Sequence, residues 1–182
     1  MDVKYLSASD IHGSAAYCAA LLEAFAREQA DKLLLLGDIL YHGPRNPLPD
    51  GYDPKMVAHL LNQHKRQLLC VRGNCDSEVD QMMLEFPILA DYCILSVGNR
   101  MIFATHGHHH NEENLPMLQE GDVLLQGHTH VPMLVDRGNY IYANPGSIAL
   151  PKENSERSYL LLDDNIVTWK NLSGEVLGQM EL

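Results

Sequence analysis

The chain has 182 residues, 46% of them hydrophobic and 7% aromatic, which predicts one folded domain over residues 1–182 and excludes a disordered protein. Its 13 basic and 24 acidic residues give a formal net charge of -11, which argues against general nucleic-acid binding. No apolar run could cross a bilayer or act as a signal peptide, and the four cysteines contain no C-x-x-C pair, so we expect a reduced, cytoplasmic protein without membrane contact.

The first half of the chain alternates between strand and helix patterns. Short apolar runs end near Gly, Asp or Asn, and the segments between them carry apolar residues at helical spacing. This order predicts parallel strands joined by helices. The predicted elements are a strand over 3–8, a helix over 14–29 with Ser14 as its N-cap, a strand over 32–36, a helix from 53 or 54 to about 63, and a strand over 67–71.

Residues 39–53 separate the second strand from the second helix and are rich in proline and glycine. That composition excludes a helix or a central strand. Loops of this length are uncommon inside compact domains and tend to be lids or binding loops, so we expect this segment to form one wall of a substrate site.

The second half consists mostly of short strands separated by turn dipeptides such as Gly98-Asn99 and Gly138-Asn139. Together with the first three strands they predict two β-sheets packed face to face with helices outside. The edges of the late strands would need cover, which suggests a homo-oligomer. The predicted late strands are 93–97, 101–105, 123–126, 132–136, 140–143, 158–163, 166–169 and 176–180.

Five short stretches place oxygen or imidazole side chains directly after apolar strands. Loops at the carboxyl ends of strands in open α/β sheets converge on one crevice, so we expect these side chains to meet. Two aspartates, one asparagine and four histidines are too many donors for one tetrahedral zinc ion, and two metal ions that share Asp38 would use them all. The mixed donor set suits manganese, iron, zinc or cobalt better than calcium. The seven residues are Asp10, His12, Asp38, Asn74, His106, His128 and His130.

The ordered series D-x-H, GD, GN-x-D, TH-x-H and GHTH resembles the calcineurin-like metallophosphoesterases over about residues 3–150. The small size, the sequence GNCD at 73–76 and the loop around His42 and Arg45 look more narrowly like small bacterial phosphodiesterases of that family. The resemblance implies an α/β fold, a four-layer αββα sandwich of two mixed β-sheets flanked by helices. It also implies manganese as the usual activator and a division of the ligands in which Asp38 bridges two metal ions, one bound by Asp10, His12 and His130 and the other by Asn74, His106 and His128.

These features predict an enzyme that hydrolyses small or activated phosphodiesters, with Asp38 and Asn74 in catalytic as well as metal-binding roles. Two divalent ions roughly 3.5–4 Å apart lower the pKa of a bridging water toward neutrality, so a hydroxide held between them would attack phosphorus in line. Two alternatives stay open: a phosphomonoesterase, and a protein-interaction scaffold of the same fold with a degraded site. The complete set of seven donors favours the enzyme.

Cys75 departs from the family pattern, because most catalytic members have a histidine there, to which protonation of the leaving oxygen or stabilisation of its charge is attributed. A thiol is never a cation, and beside two metal ions it would shift toward thiolate. We therefore expect slow turnover of substrates with poor leaving groups, or a substitute donor, for which His42 and His108 are candidates. Arg45 is a candidate clamp for the substrate phosphate.

Supporting roles are predicted for two segments next to the ligands. Asp76 is expected to cap a helix that begins near Ser77 rather than to orient Asn74. The segment Asn144-Pro145-Gly146-Ser147 is expected to form a turn that supports the site from beneath.

Overall fold

The structure is a computed structural model that describes residues 3–182. The helices are α1 (Ala15–Glu28), α2 (Pro54–Asn62) and α3 (Glu78–Met83). The strands are β1 (Tyr5–Ala8), β2 (Lys32–Leu35), β3 (Leu68–Cys70), β4 (Tyr92–Val97), β5 (Arg100–Thr105), β6 (Asp122–Gln126), β7 (Met133–Asp136), β8 (Tyr140–Asn144), β9 (Ser158–Asp163), β10 (Ile166–Asn171) and β11 (Val176–Glu181). Every strand predicted from the sequence is present.

The strands form two mixed sheets, as predicted. The first sheet has six strands in the order β11-β10-β9-β1-β2-β3. Strands β1, β2 and β3 run parallel to one another, and β9 runs antiparallel to β1. The second sheet has the order β4-β5-β6-β8-β7, with a parallel centre of β5, β6 and β8 and an antiparallel strand on each side. The prediction that the first three strands run parallel and are joined by helices is confirmed.

The two sheets pack against each other through an apolar core. The run Leu33-Leu34-Leu35-Leu36 explains how, because successive side chains of a strand point to opposite faces. Leu34 and Leu36 belong to the cluster between the sheets, where they meet residues of the second sheet such as Leu125. Leu33 and Leu35 belong to the cluster on the other face, under the helices. A continuous apolar run is what a strand buried on both faces requires.

Helices α1 and α2 cover the outer face of the first sheet. Leu21 and Phe25 of α1 and Leu61 of α2 belong to the same buried cluster as Leu33 and Leu35. Ser14 caps α1, as predicted, by accepting a hydrogen bond from the backbone N–H of Tyr17 at 3.3 Å. Asp53 caps α2 in the same way through Met56, with Pro54 in the first turn.

The outer face of the second sheet is covered differently. Within residues 3–182 no helix lies there; the irregular segment 107–121 covers Phe103, Leu124 and Tyr142 through Leu118. The reason is local, since Asn111 donates a side-chain hydrogen bond to the Gly107 carbonyl and accepts two from backbone N–H groups. Such side-chain bonds compete with a helix. The two facing sheets with helices outside the first agree with the predicted sandwich, whereas a loop takes the place of the helical layer expected outside the second sheet.

The exposed edges of the sheets are β3, β4, β7 and β11. Strand β4 has exposed Tyr92 and Ile94, which are 47% and 56% accessible. The homo-oligomer stays a prediction. In the described part of the chain, no helix has both the length and the apolar character that a membrane crossing requires.

Replacement of Leu34 by alanine tests the core between the sheets. Leu34 is fully buried, so Leu34→Ala should lower the free energy of unfolding by about 2–5 kcal/mol. Met117 is 97% exposed, and Met117→Ala should change the free energy of unfolding by less than about 0.5 kcal/mol. Urea denaturation followed by circular dichroism measures both, and similar losses in the two variants would contradict the burial assigned to Leu34.

Candidate active site

The seven predicted donors lie on loops that follow β1, β2, β3, β5 and β6. These loops are hydrogen-bonded to one another through their backbones. Asp10 N donates to the Gly37 carbonyl at 3.1 Å, and His12 N donates to the Asp38 carbonyl at 2.8 Å. The donors therefore meet because neighbouring strands end at the same edge of the fold, as the order of strands predicts.

One group of donors surrounds Asp10. His130 Nε2 lies 3.2 Å from Asp10 Oδ1, and His12 Nε2 lies 3.5 Å from the same oxygen. The Nε2 atoms of His12 and His130 are 3.2 Å apart. All three side chains are buried. One carboxylate oxygen and two imidazole nitrogens thus face a common point.

A second group surrounds His106. Its Nε2 lies 3.0 Å from Asn74 Oδ1 and 3.1 Å from His128 Nδ1. Asp38 lies between the two groups, because its Oδ2 is 3.6 Å from His106 Nε2 and 3.7 Å from His12 Nε2. Cys75 N donates to the other oxygen, Oδ1, at 2.8 Å, which turns Oδ2 toward both histidines.

The outer nitrogens of three histidines are hydrogen-bonded to backbone carbonyls. His12 Nδ1 bonds to Tyr41 O at 2.9 Å. His106 Nδ1 bonds to Leu36 O and His130 Nδ1 to Leu150 O, both at 2.7 Å. A carbonyl oxygen can only accept, so each Nδ1 carries a hydrogen, and in its neutral form each imidazole presents the Nε2 lone pair to the centre. This orientation is the one that metal-ligating histidines have in proteins.

The charges in the first group suit a cation. Burial by itself would raise the pKa of Asp10, but His12 and His130 lower it well below its ordinary value, so the carboxylate is ionised. Burial would likewise lower the pKa of His12, but Asp10 raises it. Asp10 Oδ1 is buried between the two imidazoles. A buried carboxylate beside two ring nitrogens needs positive charge between these atoms, from protons on the imidazoles or from a bound cation.

The backbone is strained at the same residues. Positive φ values are uncommon outside glycine and cost free energy, so they persist only where the surrounding structure holds them. Such strain concentrates at functional sites. The non-glycine positions concerned are Asp10 (58°), His12 (49°), Asp38 (56°), His128 (68°) and His130 (64°).

Asp76 corrects the sequence-based prediction, because it does not cap helix α3. Ser77 is the N-cap, and its side chain accepts from Asp80 N. Asp76 is instead 3% exposed and accepts three backbone hydrogen bonds, from Asp38 N at 2.8 Å, Ile39 N at 2.9 Å and Gly73 N at 2.7 Å. Burial raises the pKa of Asp76 to about 6, Asp38 adds to the shift, and the three amides oppose it. Asp76 fastens the loop after β2 to the loop after β3.

The segment Asn144–Ser147 supports the ligand loops from beneath, as predicted. Asn144 Nδ2 donates to the Gly127 carbonyl and to Thr129 Oγ1, both at 3.0 Å. Ser147 Oγ donates to the Asp10 carbonyl at 2.8 Å. The loops that carry Asp10 and His128 are therefore fixed to one support.

A cavity of about 430 Å³ opens above the donors. Residues 43–46 line it, so the proline-rich loop forms one wall, as expected. Arg45 belongs to that wall, whereas Lys152 and Thr129 were not predicted from the sequence. The lining residues at the donor end are Asp38, Asn74, Cys75, His128 and His130.

Cys75 lines the cavity as a neutral thiol. Burial raises the pKa of its thiol, and the nearby Asp38 carboxylate raises it further. The sequence-based expectation of a shift toward thiolate depended on bound metal ions. Cys75 Sγ also accepts a hydrogen bond from Asn74 Nδ2 at 3.2 Å, which helps to orient the Asn74 oxygen toward His106.

The two candidate proton donors are placed unfavourably. His42 is absent from the lining, because its ring packs between Tyr41 and Tyr52, with ring centroids 4.8 and 5.3 Å away. His108 lies 5.3 Å from His106 between ring centroids and is also absent from the lining. Burial and the neighbouring histidines lower the pKa of His108 to about 4, so it is uncharged near neutral pH. Both observations argue against the substrate and acid roles expected from the sequence.

Comparisons with known proteins agree with this geometry. The calcineurin-like phosphoesterase superfamily domain matches residues 3–165. The chain is 48% identical to phosphodiesterase YfcE from Escherichia coli K12 over 166 residues, which is 91% of this chain and 90% of that protein. The crystal structure of the E. coli YfcE phosphoesterase superposes with a TM-score of 0.95 at 45% identity, over 98% of each chain.

A more distant structure shares the fold alone. Vps29 from Entamoeba histolytica in complex with Zn²⁺ superposes with a TM-score of 0.60 at 20% identity over 98% of each chain. The chain belongs to the calcineurin-like phosphoesterase superfamily. The narrower resemblance to small bacterial phosphodiesterases is confirmed by the similarity to YfcE. Membership implies divalent metal ions, and the buried groups Asp10-His12-His130 and Asp10-Asp38-His106 are suited to hold them.

Replacement of Asp76 tests its role as the connection between two ligand loops. Asp76→Ala leaves three buried N–H groups without acceptors and should lower the free energy of unfolding by about 3 kcal/mol. It should also weaken Mn²⁺ binding by at least about tenfold, because outer residues orient metal ligands. Urea denaturation in the presence of a chelator measures the free energy of unfolding, and titration calorimetry measures the affinity for Mn²⁺.

Asp80→Ala is the matched control. Within the described residues 3–182, Asp80 Oδ2 accepts only from the backbone and side chain of Ser77, in the cap of α3. Its loss should cost about 1 kcal/mol of stability and leave Mn²⁺ affinity unchanged. Wild-type Mn²⁺ affinity in Asp76→Ala would show that the ligand loops do not depend on this carboxylate.

Proposed function

We propose that the protein is a phosphodiesterase that hydrolyses small or activated phosphodiesters with two divalent metal ions. The observation that carries this proposal is the position of Asp38, whose Oδ2 lies 3.7 Å from His12 Nε2 in one donor group and 3.6 Å from His106 Nε2 in the other. One shared carboxylate between two donor groups suits a pair of ions rather than a single ion.

Asp38 would bridge the two ions, and Asn74 would hold its amide oxygen toward the second. Manganese is the ion we propose, with zinc, iron and cobalt as the alternatives that the nitrogen and oxygen donors also suit. When bound, two such ions would lower the pKa of a water molecule between them and offset the charge that develops on the phosphoryl oxygens. The remaining ligands would be Asp10, His12 and His130 for one ion, and His106 and His128 for the other.

The protein's own groups supply orientation. The carbonyls of Tyr41, Leu36 and Leu150 hold three imidazoles with Nε2 inward. Cys75 N holds Asp38 by one oxygen and leaves the other for the ions. Such preorganised donors need no rearrangement when charge develops on the substrate.

Proton donation to the leaving group is the step that this chain supports least. Cys75 is a thiol with a raised pKa, and neither His42 nor His108 lines the cavity. The other histidines at the donor end are His128 and His130, which we assign to the metals. A leaving group that departs without a proton is therefore favoured, which supports activated diesters as substrates.

The alternatives are less well supported. A scaffold has no need of converging lone pairs or of strained ligand residues. No observation on the cavity favours a monoester over a diester, and the similar E. coli protein is named a phosphodiesterase. The four cysteines are free thiols, which fits the cytoplasmic location that we propose.

Removal of metal tests the proposal directly. After dialysis against chelator, hydrolysis of bis(p-nitrophenyl) phosphate should disappear, and Mn²⁺ should restore it. Asp38→Asn should reduce the restored rate by at least about 100-fold, because the shared ligand loses its charge. Asp164→Asn, a matched change at an exposed turn, should retain the wild-type rate. Activity that survives chelation, or silence with manganese, zinc, iron and cobalt alike, would refute the proposed function.

Cys75→His tests whether position 75 lacks a proton donor. An imidazole there should raise turnover of the same diester by at least about tenfold, because general acid catalysis assists the leaving oxygen. Cys75→Asn adds similar volume without an acid and should show no gain. An unchanged or lower rate in a folded, fully metallated Cys75→His variant would contradict this account.

A further inference from the structure

Two cationic side chains line the cavity in a protein whose net charge is -11. Arg45 comes from the proline-rich loop, and Lys152 comes from the segment after the Asn144–Ser147 turn. Among residues 3–182 the one acidic residue in the lining is Asp38, which lies between the two donor groups. Apart from the donors, the charged side chains of the lining are therefore positive.

Neither charged group is paired with another residue in the described part of the chain. Six other cations form ion pairs with carboxylates, namely Lys4, Arg27, Lys65, Arg72, Arg137 and Lys170. Among residues 3–182 the charged groups of Arg45, Lys152, Lys55 and Arg66 have no ion pair and no hydrogen-bond acceptor, and of these four only Arg45 and Lys152 line the cavity. Unpaired cations at a cavity are available to an anionic ligand.

The backbones that carry these cations are nevertheless fixed to the site. Lys152 N donates to the His130 carbonyl at 3.1 Å, and Ser155 N donates to the Lys152 carbonyl at 3.0 Å. On the other wall, Asn46 Nδ2 donates to the His42 carbonyl at 2.9 Å and closes the turn that presents Arg45. Both cations are therefore carried by backbone segments that are hydrogen-bonded next to the cavity.

The lining offers little to an apolar substrate group. Within the described range 3–182, Pro44 is its one aliphatic ring, and no Phe, Tyr or Trp side chain lines the cavity. A nucleobase would find no large ring on which to stack, and an acyl chain would find little apolar surface. A volume of about 430 Å³ suits a small, polar molecule.

We propose that Arg45 and Lys152 together bind a second anionic group on the substrate, so that the enzyme prefers phosphodiesters of small polar alcohols that carry a carboxylate or a phosphate. This inference rests on the proposed function. Lys152 is then a specificity residue, and Arg45 reaches the second anion rather than the scissile phosphate. The guanidinium plane matches either anion through two parallel hydrogen bonds.

Three p-nitrophenyl phosphodiesters test this preference, because they share a leaving group and differ only at the far end of the other alcohol. The alcohols are 1-propanol, 3-hydroxypropanoate and 3-hydroxypropyl phosphate. We expect kcat/KM with Mn²⁺ to be at least about fivefold higher for the anionic diesters than for the neutral one, as one exposed ion pair can provide. The anionic diester with the larger ratio of kcat/KM to that of the neutral diester shows whether the site favours a carboxylate or a phosphate.

Single and double variants of Arg45 and Lys152 test whether these two residues cause the preference for anionic diesters. Lys152→Met and Arg45→Met should each reduce the ratio of anionic to neutral kcat/KM by about threefold, and the double variant should abolish it. Lys55→Met removes one positive charge from an exposed helix residue that lines a different cavity and should leave the ratio unchanged. An equal kcat/KM for all three diesters in the wild type, or an equal loss in Lys55→Met, would overturn the inference.

A binding measurement separates this inference from the proposed function. Methyl phosphodiesters of the same three alcohols have a poor leaving group, so titration calorimetry with Mn²⁺-loaded protein reports affinity without turnover. Absence of p-nitrophenol release from all three chromogenic diesters refutes the proposed function. The calorimetric ratio still decides the inference: tighter binding of the anionic methyl diesters, lost in the double variant, supports it, and equal affinities overturn it.

Discussion

The arrangement of this protein depends on holding a carboxylate oxygen and two imidazole nitrogens at one buried point. Asp10 Oδ1 and the Nε2 atoms of His12 and His130 lie within 3.5 Å of one another, and all three side chains are buried. Without positive charge between them these atoms repel one another, and burying such polar groups costs free energy. The fold must therefore stabilise the arrangement through other interactions, and a bound cation would offset the cost.

Those other interactions are mostly between backbone groups of the ligand loops. Asp76 accepts from three amides, Ser147 donates to the Asp10 carbonyl, and the carbonyls behind His12, His106 and His130 fix the direction of each ring. Positive φ values at the ligands follow from the same need, because a sharp turn after each strand brings the side chain back over the sheet edge. The strained residues and the hydrogen bonds that hold them occur in the same loops, and these loops therefore carry many buried polar groups.

Local pattern and strand order sufficed to predict the sheets and the meeting of the seven donors, since each donor follows an apolar run that must be buried. Three features could not be predicted from local pattern and strand order. Asp76 stands beside a serine that caps the helix equally well, and only its burial shows that it serves other loops. His42 looks like a site residue until its ring is seen packed between two tyrosines. Lys152 is far from every motif, and its proximity comes from one hydrogen bond to the His130 carbonyl.

Cys75 and the cationic end of the cavity are two aspects of one charge distribution. A histidine at position 75 would place a positive charge beside the leaving oxygen, whereas this chain has a neutral thiol there and places its positive charges at Arg45 and Lys152. Positive charge on the walls attracts a substrate that carries a second negative charge. Without an acid at position 75 the site should discriminate strongly by the basicity of the leaving alcohol, and its positive charges should favour a substrate with a second anionic group. The loss of an acid at one position and the unpaired cations at two others are therefore consistent with a narrow substrate range rather than with a decayed enzyme.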